Sequence, residues 1–380
     1  MKNRDLSRIG LALAAPLLAV AFSVVVTSVI LLAAGDPVWV TWKTLVTGGL
    51  PGVMPRNLMT TINLGTTYYL SAIAVAIGFR MNLFNIGVDG QYRLAVFAAA
   101  VVGGAINLPK PLHILVVIVV AMAVGAAWAA IAGLLKVGRG VSEVISTIML
   151  NAIAGGLVAY LLRRVASGEA ASNNISTPSI PESGRMPGFT LLPNAPVKAY
   201  GFVIVAALVG VGYWYLISRT RFGFDLRATG RSATAAVASG VNVKRMIVAS
   251  MVLSGAVAGL VGLPELLGKT YTYDLSFPAG LGFTGIAIAL VGRNSPVGVA
   301  VAALLFAYLD VASNPLQILA DVAPEVVKIM QGIIVLSVVI AYEMVRRYSV
   351  VAEQRKVARE LGDHESSPPR PGGTAQEVTV

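Results

Sequence analysis

The apolar residues of this chain gather into blocks of roughly 18 to 25, the length at which a helix rising ~1.5 Å per residue crosses a ~30 Å hydrocarbon core. Such blocks lie near 9–34, 61–79, 85–107, 112–135, 142–162, 200–218, 246–267, 281–292, 296–313 and 326–345. They predict an all-α, polytopic helical membrane protein with about ten transmembrane helices. Hydrophobic residues make up 56% of the chain and charged residues 12%. That is about half the charge of an average soluble domain and excludes an ordinary water-soluble fold. The first block follows a basic stretch, as a secretory signal would. It runs on to Ala34 with no small-residue cleavage site before Asp36, so it reads as a retained helix.

The 29 Lys and Arg residues set the orientation. With the N-terminus inside, twenty of the 29 fall in inside segments. Arg80 and Arg93 are among these, as are Arg219, Arg221, Arg227, Arg231, Lys244 and Arg245. The bias places both termini in the cytoplasm and accounts for the net charge of +11 without nucleic acid. The expected organisation is a cytoplasmic N-terminus over 1–8, a transmembrane domain over 9–345 and a cytoplasmic tail over 346–380. Within the domain, 165–199 is an outside loop rich in Ser, Asn, Pro and Gly, and 219–245 is the longest cytoplasmic loop. The tail starts as a charged helix from Glu353 to Glu360 and ends compositionally disordered. Trp39, Trp42 and Tyr213 to Tyr215 read as interfacial anchors.

Several chemistries are excluded. There is no cysteine, which removes disulfides, thiolate metal sites and cysteine nucleophiles. The two histidines are His113 and His364, the second in the polar tail, so no metal site, cofactor or catalytic residue is expected and the chain does not read as an enzyme. Gly262-Leu-Pro-Glu-Leu-Leu-Gly268-Lys269-Thr270 resembles a phosphate loop, but five residues separate the glycines where the cradle needs four. Gly280-Leu-Gly282-Phe-Thr-Gly285 opens an apolar helix with no strand before it, so its small residues, like those of Ser254-Gly255-Ala-Val-Ala-Gly259, read as close helix packing. Asn174-Ile-Ser176 is a glycosylation triplet by spelling only. The chain carries no ATP site, so active transport requires a separate ATPase or an ion gradient.

Two segments concentrate candidates. Gly78-Phe-Arg-Met-Asn-Leu-Phe-Asn85-Ile-Gly87-Val-Asp89-Gly90-Gln91 is a run of breakers and hydrogen-bonding groups between apolar blocks. It reads either as a helix break beside a translocation path, using Asn82, Asn85, Gly87, Asp89 and Gln91, or as a cytoplasmic turn with Asp89 as a helix-start acid. The 219–245 loop contains a short Ala-rich stretch after Gly230 that ends at Gly240, a helix that either docks into a partner's groove or connects two spans. Glu143, Asn151, Glu265, Asp310 and Gln331 are further polar residues near spans, and Tyr68 and Tyr69 either stack on a flat ligand or line helix contacts.

Phe84-Asn-Ile-Gly-Val-Asp-Gly-Gln91, Leu226-Arg-Ala-Thr-Gly with Ala235-Ala236 and Gly240-Val241, and Leu253-Ser-Gly-Ala-Val-Ala-Gly-Leu-Val-Gly262 together resemble the permease subunits of bacterial ABC importers for simple sugars, nucleosides and branched-chain amino acids. Gly282-Phe-Thr-Gly-Ile-Ala-Ile-Ala-Leu-Val-Gly-Arg-Asn-Ser-Pro-Val-Gly298 is similar to the nucleoside branch. The resemblance covers roughly 55 to 345, with Asp89 where the family usually has Glu and Arg231-Ser232 where it commonly has Asn after the Gly230 equivalent. It implies a multi-pass protein of the bacterial cell membrane that forms the path for nucleosides. The implied partners, besides the lipid bilayer, are a cytoplasmic ABC ATPase, a second related permease in a heterodimer, and an extracytoplasmic substrate-binding lipoprotein. ATPase coupling would fall to Arg227, Ala228, Thr229, Gly230, Ala233 and Ala236. The alternatives are the same importer carrying a sugar such as ribose, and an ion-coupled secondary transporter in which Asp89 or Asp310 carries the ion.

Overall fold

The computed structural model describes residues 2–47, 54–166, 175–192 and 195–365. The Ser172 to Asn174 part of the expected outside loop and the tail from residue 366 lie outside them. Two compact units result: Ser28–Val335, and Met1–Thr27 with Leu336–Val380.

In the larger unit, the last turns of α1 (Lys2–Ala34) lead into a short helix, α2 (Val38–Thr47), which carries Trp39 and Trp42. α3 (Met54–Phe79), α4 (Val88–Ala105), α5 (Lys110–Arg139) and α6 (Glu143–Val165) follow. A hairpin pairs β1 (Gly188–Phe189) with β2 (Ala199–Tyr200) before α7 (Phe202–Arg219), α8 (Arg221–Arg231), α9 (Ala233–Ala238) and α10 (Val243–Gly259). α10 gives way to the single turn α11 (Leu263–Glu265) and a wide π turn, Leu266–Thr270. α12 (Leu281–Val291), α13 (Pro296–Ala320) and α14 (Pro324–Glu365) complete the order.

Eight helical spans among the described residues are long and apolar enough to cross a membrane. They correspond to eight of the ten expected blocks, and α4 and α12 to the other two. α12, at 11 residues, rises only about 16 Å, so it is a half-span rather than the full crossing expected of 281–292. Its apolar composition is that of a full span; only its length gives it away. α4 begins three residues later than its block, and Arg93, expected in an inside loop, lies in its second turn.

α3 is the central element: 78% of its apolar window is buried, against 22% for α5 and for α6. α10 crosses α5 where Gly255 lies on the Gly125 backbone and Gly259 on Ala121, an approach that any side chain there would block. The expected small-residue packing of 254–259 is thus met by a glycine on the opposing helix. α13 starts at Ser295-Pro296, with the Ser295 hydroxyl accepting from the Gly298 amide at 3.1 Å and proline in the first turn, where its missing N–H costs nothing.

The 175–201 segment is more than a loop. The Thr177 amide donates to the Tyr273 carbonyl, Ile180 to Tyr271 and Met186 to Leu267, each at 2.9 Å, stitching it to the 266–274 stretch. His113 serves the same seam: its ring nitrogens lie 2.9 Å from the Ser183 hydroxyl and 3.0 Å from the Gly103 carbonyl.

In the smaller unit, Leu17, Leu18, Val20 and Phe22 are exposed on α1, a lipid-compatible surface, and the charged helix expected from Glu353 is the continuation of α14. There Glu343 holds Arg346 at 2.9 Å and Arg347 at 2.7 Å.

Candidate translocation and coupling site

The chain between α3 and α4 leaves the helix at Arg80, turns through Asn82 in the left-handed region (φ 59°), and resumes at Val88. Asn82 is exposed on that turn. Asn85 is 1% exposed, and every polar atom of its amide is used. Its Nδ2 donates to Gln91 Oε1 at 3.0 Å and to the Ser254 hydroxyl at 2.8 Å, while its Oδ1 accepts from Gln91 Nε2 at 2.9 Å and from the Gly87 amide at 3.0 Å. Ser254 donates onward to the Ala74 carbonyl at 2.6 Å. The side chain of Asn151 on α6 closes the break from the other side, accepting from the Gly90 amide at 2.8 Å and donating to the Ile86 carbonyl at 2.9 Å. The Gly87 and Gly90 amides and the Ile86 carbonyl are thus satisfied inside protein, the condition under which irregular backbone survives at membrane depth.

Asp89 turns away from this network. Its carboxylate accepts from the Gly282 amide at 3.4 Å, at the first turn of α12, where a negative charge suits the exposed N–H groups. α12 is reached through residues 271–280, which run beside α4: the Tyr92 hydroxyl donates to the Pro278 carbonyl at 2.6 Å and the Ser71 hydroxyl to the Leu281 carbonyl at 2.8 Å. Arg93 stands beside the Tyr273 hydroxyl on the same stretch. Two non-helical segments, 80–87 and 271–280, therefore meet at α3 and α4. The sequence marks only the first of them.

The 219–245 loop folds as two helices. α8 was not expected: it is dominated by charge, and only Leu226 is an apolar side chain fully buried on it. Thr220 caps it through the Gly223 amide at 3.1 Å, and extended Ser232 (φ −158°) ends α8 and caps α9 through the Ala235 amide at 3.3 Å. Gly240, in the left-handed region at φ 82°, follows α9 as a helix-ending residue does. Gly230 lies on the turn after α3; a Cβ there would stand 2.7 Å from the Arg80 carbonyl and 2.9 Å from the Met81 Cα. Arg227 and Ala228 are half-buried, Thr229 is buried with its hydroxyl on the Asp225 carbonyl at 2.8 Å, and Ala233 is exposed. Ala236 is 2% exposed and packed within this chain; the large apolar side chains open on the pair are Phe224 and Val237.

Arg80 ties the same turn to two further elements. Its guanidinium donates to the Asn294 carbonyl at 2.8 Å, to which the Tyr213 hydroxyl also donates at 2.8 Å, joining α3, α7 and the α12–α13 turn. Asp310 in α13 is held by the Tyr68 hydroxyl, Lys328 at 2.6 Å and Gln331 at 2.9 Å. Tyr68 is therefore a helix-packing residue, and Tyr69 abuts Gly210 of α7. Glu143 pairs with Lys136 at the α5–α6 turn, and Glu265 with Lys269 at 2.7 Å.

The chain is 40% identical over 286 residues to the guanosine ABC transporter permease protein NupP of Bacillus subtilis, covering 74% of this chain and 80% of that protein. It is 32% identical over 288 residues to the glucose ABC transporter permease protein TsgB13 of Haloferax volcanii, covering 74% and 75%. Identity to the nucleoside ABC transporter permease protein NupB of Lactococcus lactis is 29% over 335 residues, covering 86% and 90%. Residues 57–339, which include the α3–α4 break, the α8–α9 pair and the α5–α10 crossing, match the branched-chain amino acid transport system permease component, and the chain belongs to that family of membrane transport subunits.

Proposed function

We propose that this chain forms half of the membrane path of an ATP-driven importer whose cargo is a nucleoside. The observation that carries the reading is its 40% identity, over most of both chains, to a permease named for guanosine. The chain is a transport subunit and not an enzyme; hydrolysis belongs to a separate ATPase, and delivery to a substrate-binding protein.

The second permease is a related but different chain. In Bacillus subtilis two guanosine permease proteins are similar to this chain, at 40% and 25%, and in Lactococcus lactis two nucleoside permease proteins, at 29% and 25%. That pairing supports a heterodimer in which this chain takes the place of the more similar member. Both termini and α8–α9 face the cytoplasm, and 175–201 faces outward with the lipoprotein. Movement of the ATPase against α8–α9 is delivered at Gly230 to the Arg80 turn, and from there along the 80–87 segment to the Asn85 break and to α7 and α13 through Asn294.

A glucose permease at 32% identity keeps a sugar cargo as the second reading. Proteoliposomes holding this chain with its ATPase, partner permease and binding protein separate them. Labelled guanosine should enter, vanadate should stop it and an uncoupler should not. Entry of glucose or ribose alone would establish the sugar reading, and uptake insensitive to vanadate would establish ion coupling.

A further inference from the structure

A cavity of about 850 Å³ opens between α3, the β1–β2 hairpin and the 265–278 stretch. Its wall on α3 is a polar stripe. Arg56, Thr60, Asn63 and Thr67 recur at three- and four-residue spacing and so share one face of the helix. From Arg56 to Thr67 the helix rises about 16 Å, so the cavity reaches well into the span. One turn further on, Ser71 donates to the Leu281 carbonyl at the start of α12. On the other side the cavity is lined by Pro278, whose carbonyl is fixed by Tyr92. The cavity therefore touches the segment that leads into the half-span helix. A polar stripe on the most buried membrane helix has a cost that helix packing alone does not require.

Besides the cations Arg56 and Lys198, the lining offers hydroxyls and aromatic rings, suited to a ligand with hydroxyls and a flat ring. Tyr200 and Tyr271 border it, and Asn63 clamps the hairpin from within: its Nδ2 donates to the Lys198 carbonyl and its Oδ1 accepts from the Tyr200 amide, both at 2.9 Å. Burial pushes the Tyr200 hydroxyl up to about 12, so it stays a neutral donor and acceptor. The carboxylate in the wall, Glu265, is already occupied by Lys269. The volume falls within the ~300–1,000 Å³ of small-molecule sites.

We propose that this cavity is the cargo-binding vestibule of the permease, and that it takes an uncharged nucleoside through the Thr60 and Thr67 hydroxyls and the Tyr200 and Tyr271 rings, with Asn63 as a positioning residue. The assignment of a nucleoside rests on the functional reading above; the assignment of the place does not. The chain has no cysteine, so Thr60→Cys and Thr67→Cys, both close in size to threonine, report on the cavity directly. The exposed Thr190→Cys serves as the control. In the assembled importer, methanethiosulfonate modification is timed with and without guanosine, and wild-type uptake of guanosine, ribose and glucose is measured alongside. Guanosine should slow modification at positions 60 and 67 at least fivefold and leave position 190 within twofold. If the importer takes up guanosine yet gives no protection at either position, the site is overturned. If it imports only a sugar and that sugar protects both positions, the nucleoside reading falls and the site stands. If the imported sugar protects neither, both fall.

Discussion

The side-chain amides of Asn85 and Gln91 bond head to tail across the gap between α3 and α4, each donating to the other, at 3.0 and 2.9 Å. The pair is six residues apart in sequence, yet it holds because the backbone between leaves the helix. Replacing one member strands the other, at ~1–3 kcal/mol for a buried polar group without a partner. Asn85→Leu should lower the thermal midpoint of the purified chain and disconnect ATP hydrolysis from uptake. Asn85→Leu combined with Gln91→Leu should cost less than the sum of the two single changes, because no stranded amide remains between them. Thermal unfolding of the four proteins checks this, and strict additivity would refute the pairing as an energetic unit.

Gly230 can sit on the Arg80 carbonyl only without a side chain. Gly230→Val should leave insertion and the helical content of the membrane domain intact but reduce guanosine uptake at least tenfold, since α8 must lift from the turn it pushes. The matching exposed change, Gly240→Asn, keeps a residue tolerant of positive φ and should be nearly silent. Uptake normalised to membrane-inserted protein reads both.

Phe224 and Val237 are the large apolar residues open on the α8–α9 pair, while Ala236 is closed. Val237→Asp should weaken co-purification of the ATPase with the permease thermal midpoint unchanged. Ala236→Trp should instead lower the midpoint of the permease alone, because overpacking a tight interior site costs ~1–3 kcal/mol. The opposite assignment of effects would move the docking face to the Ala236 side.

Asp89 supplies the negative end to the α12 amides. Asp89→Glu keeps the charge and should retain most uptake; Asp89→Leu removes it and leaves those amides without an acceptor, and should lose uptake at least tenfold. Asp89→Asn, which can accept but carries no charge, should fall between the two. A flat series across the three would assign Asp89 to packing alone.

Orientation can be read in the cysteine-free background. A single cysteine replacing exposed Ser232 should react with an impermeant maleimide only after the membrane is opened, and one replacing exposed Thr190 should react in intact cells. Reaction of Ser232→Cys from outside would invert the topology.

Sequence alone determined that the chain is a helical membrane protein, where its long apolar helices run, that 78–91 is a stretch of breakers between two of them and that Gly240 ends a helix. Each of these rests on local chemistry: apolar length, breaker residues, cap residues. The amide pair was also within reach, since Asn85 and Gln91 stand in one short segment. Tertiary structure decided which polar groups meet: Ser254 and Asn151 join Asn85 and Gly90 from 169 and 61 residues away, contacts that depend on which faces two helices turn to each other. The closing of Ala236 and the opening of Val237 were settled the same way. A six-residue alanine-rich helix has no periodic stripe, so its buried side is set by the neighbour it lands on, and the sequence of α9 does not contain that neighbour.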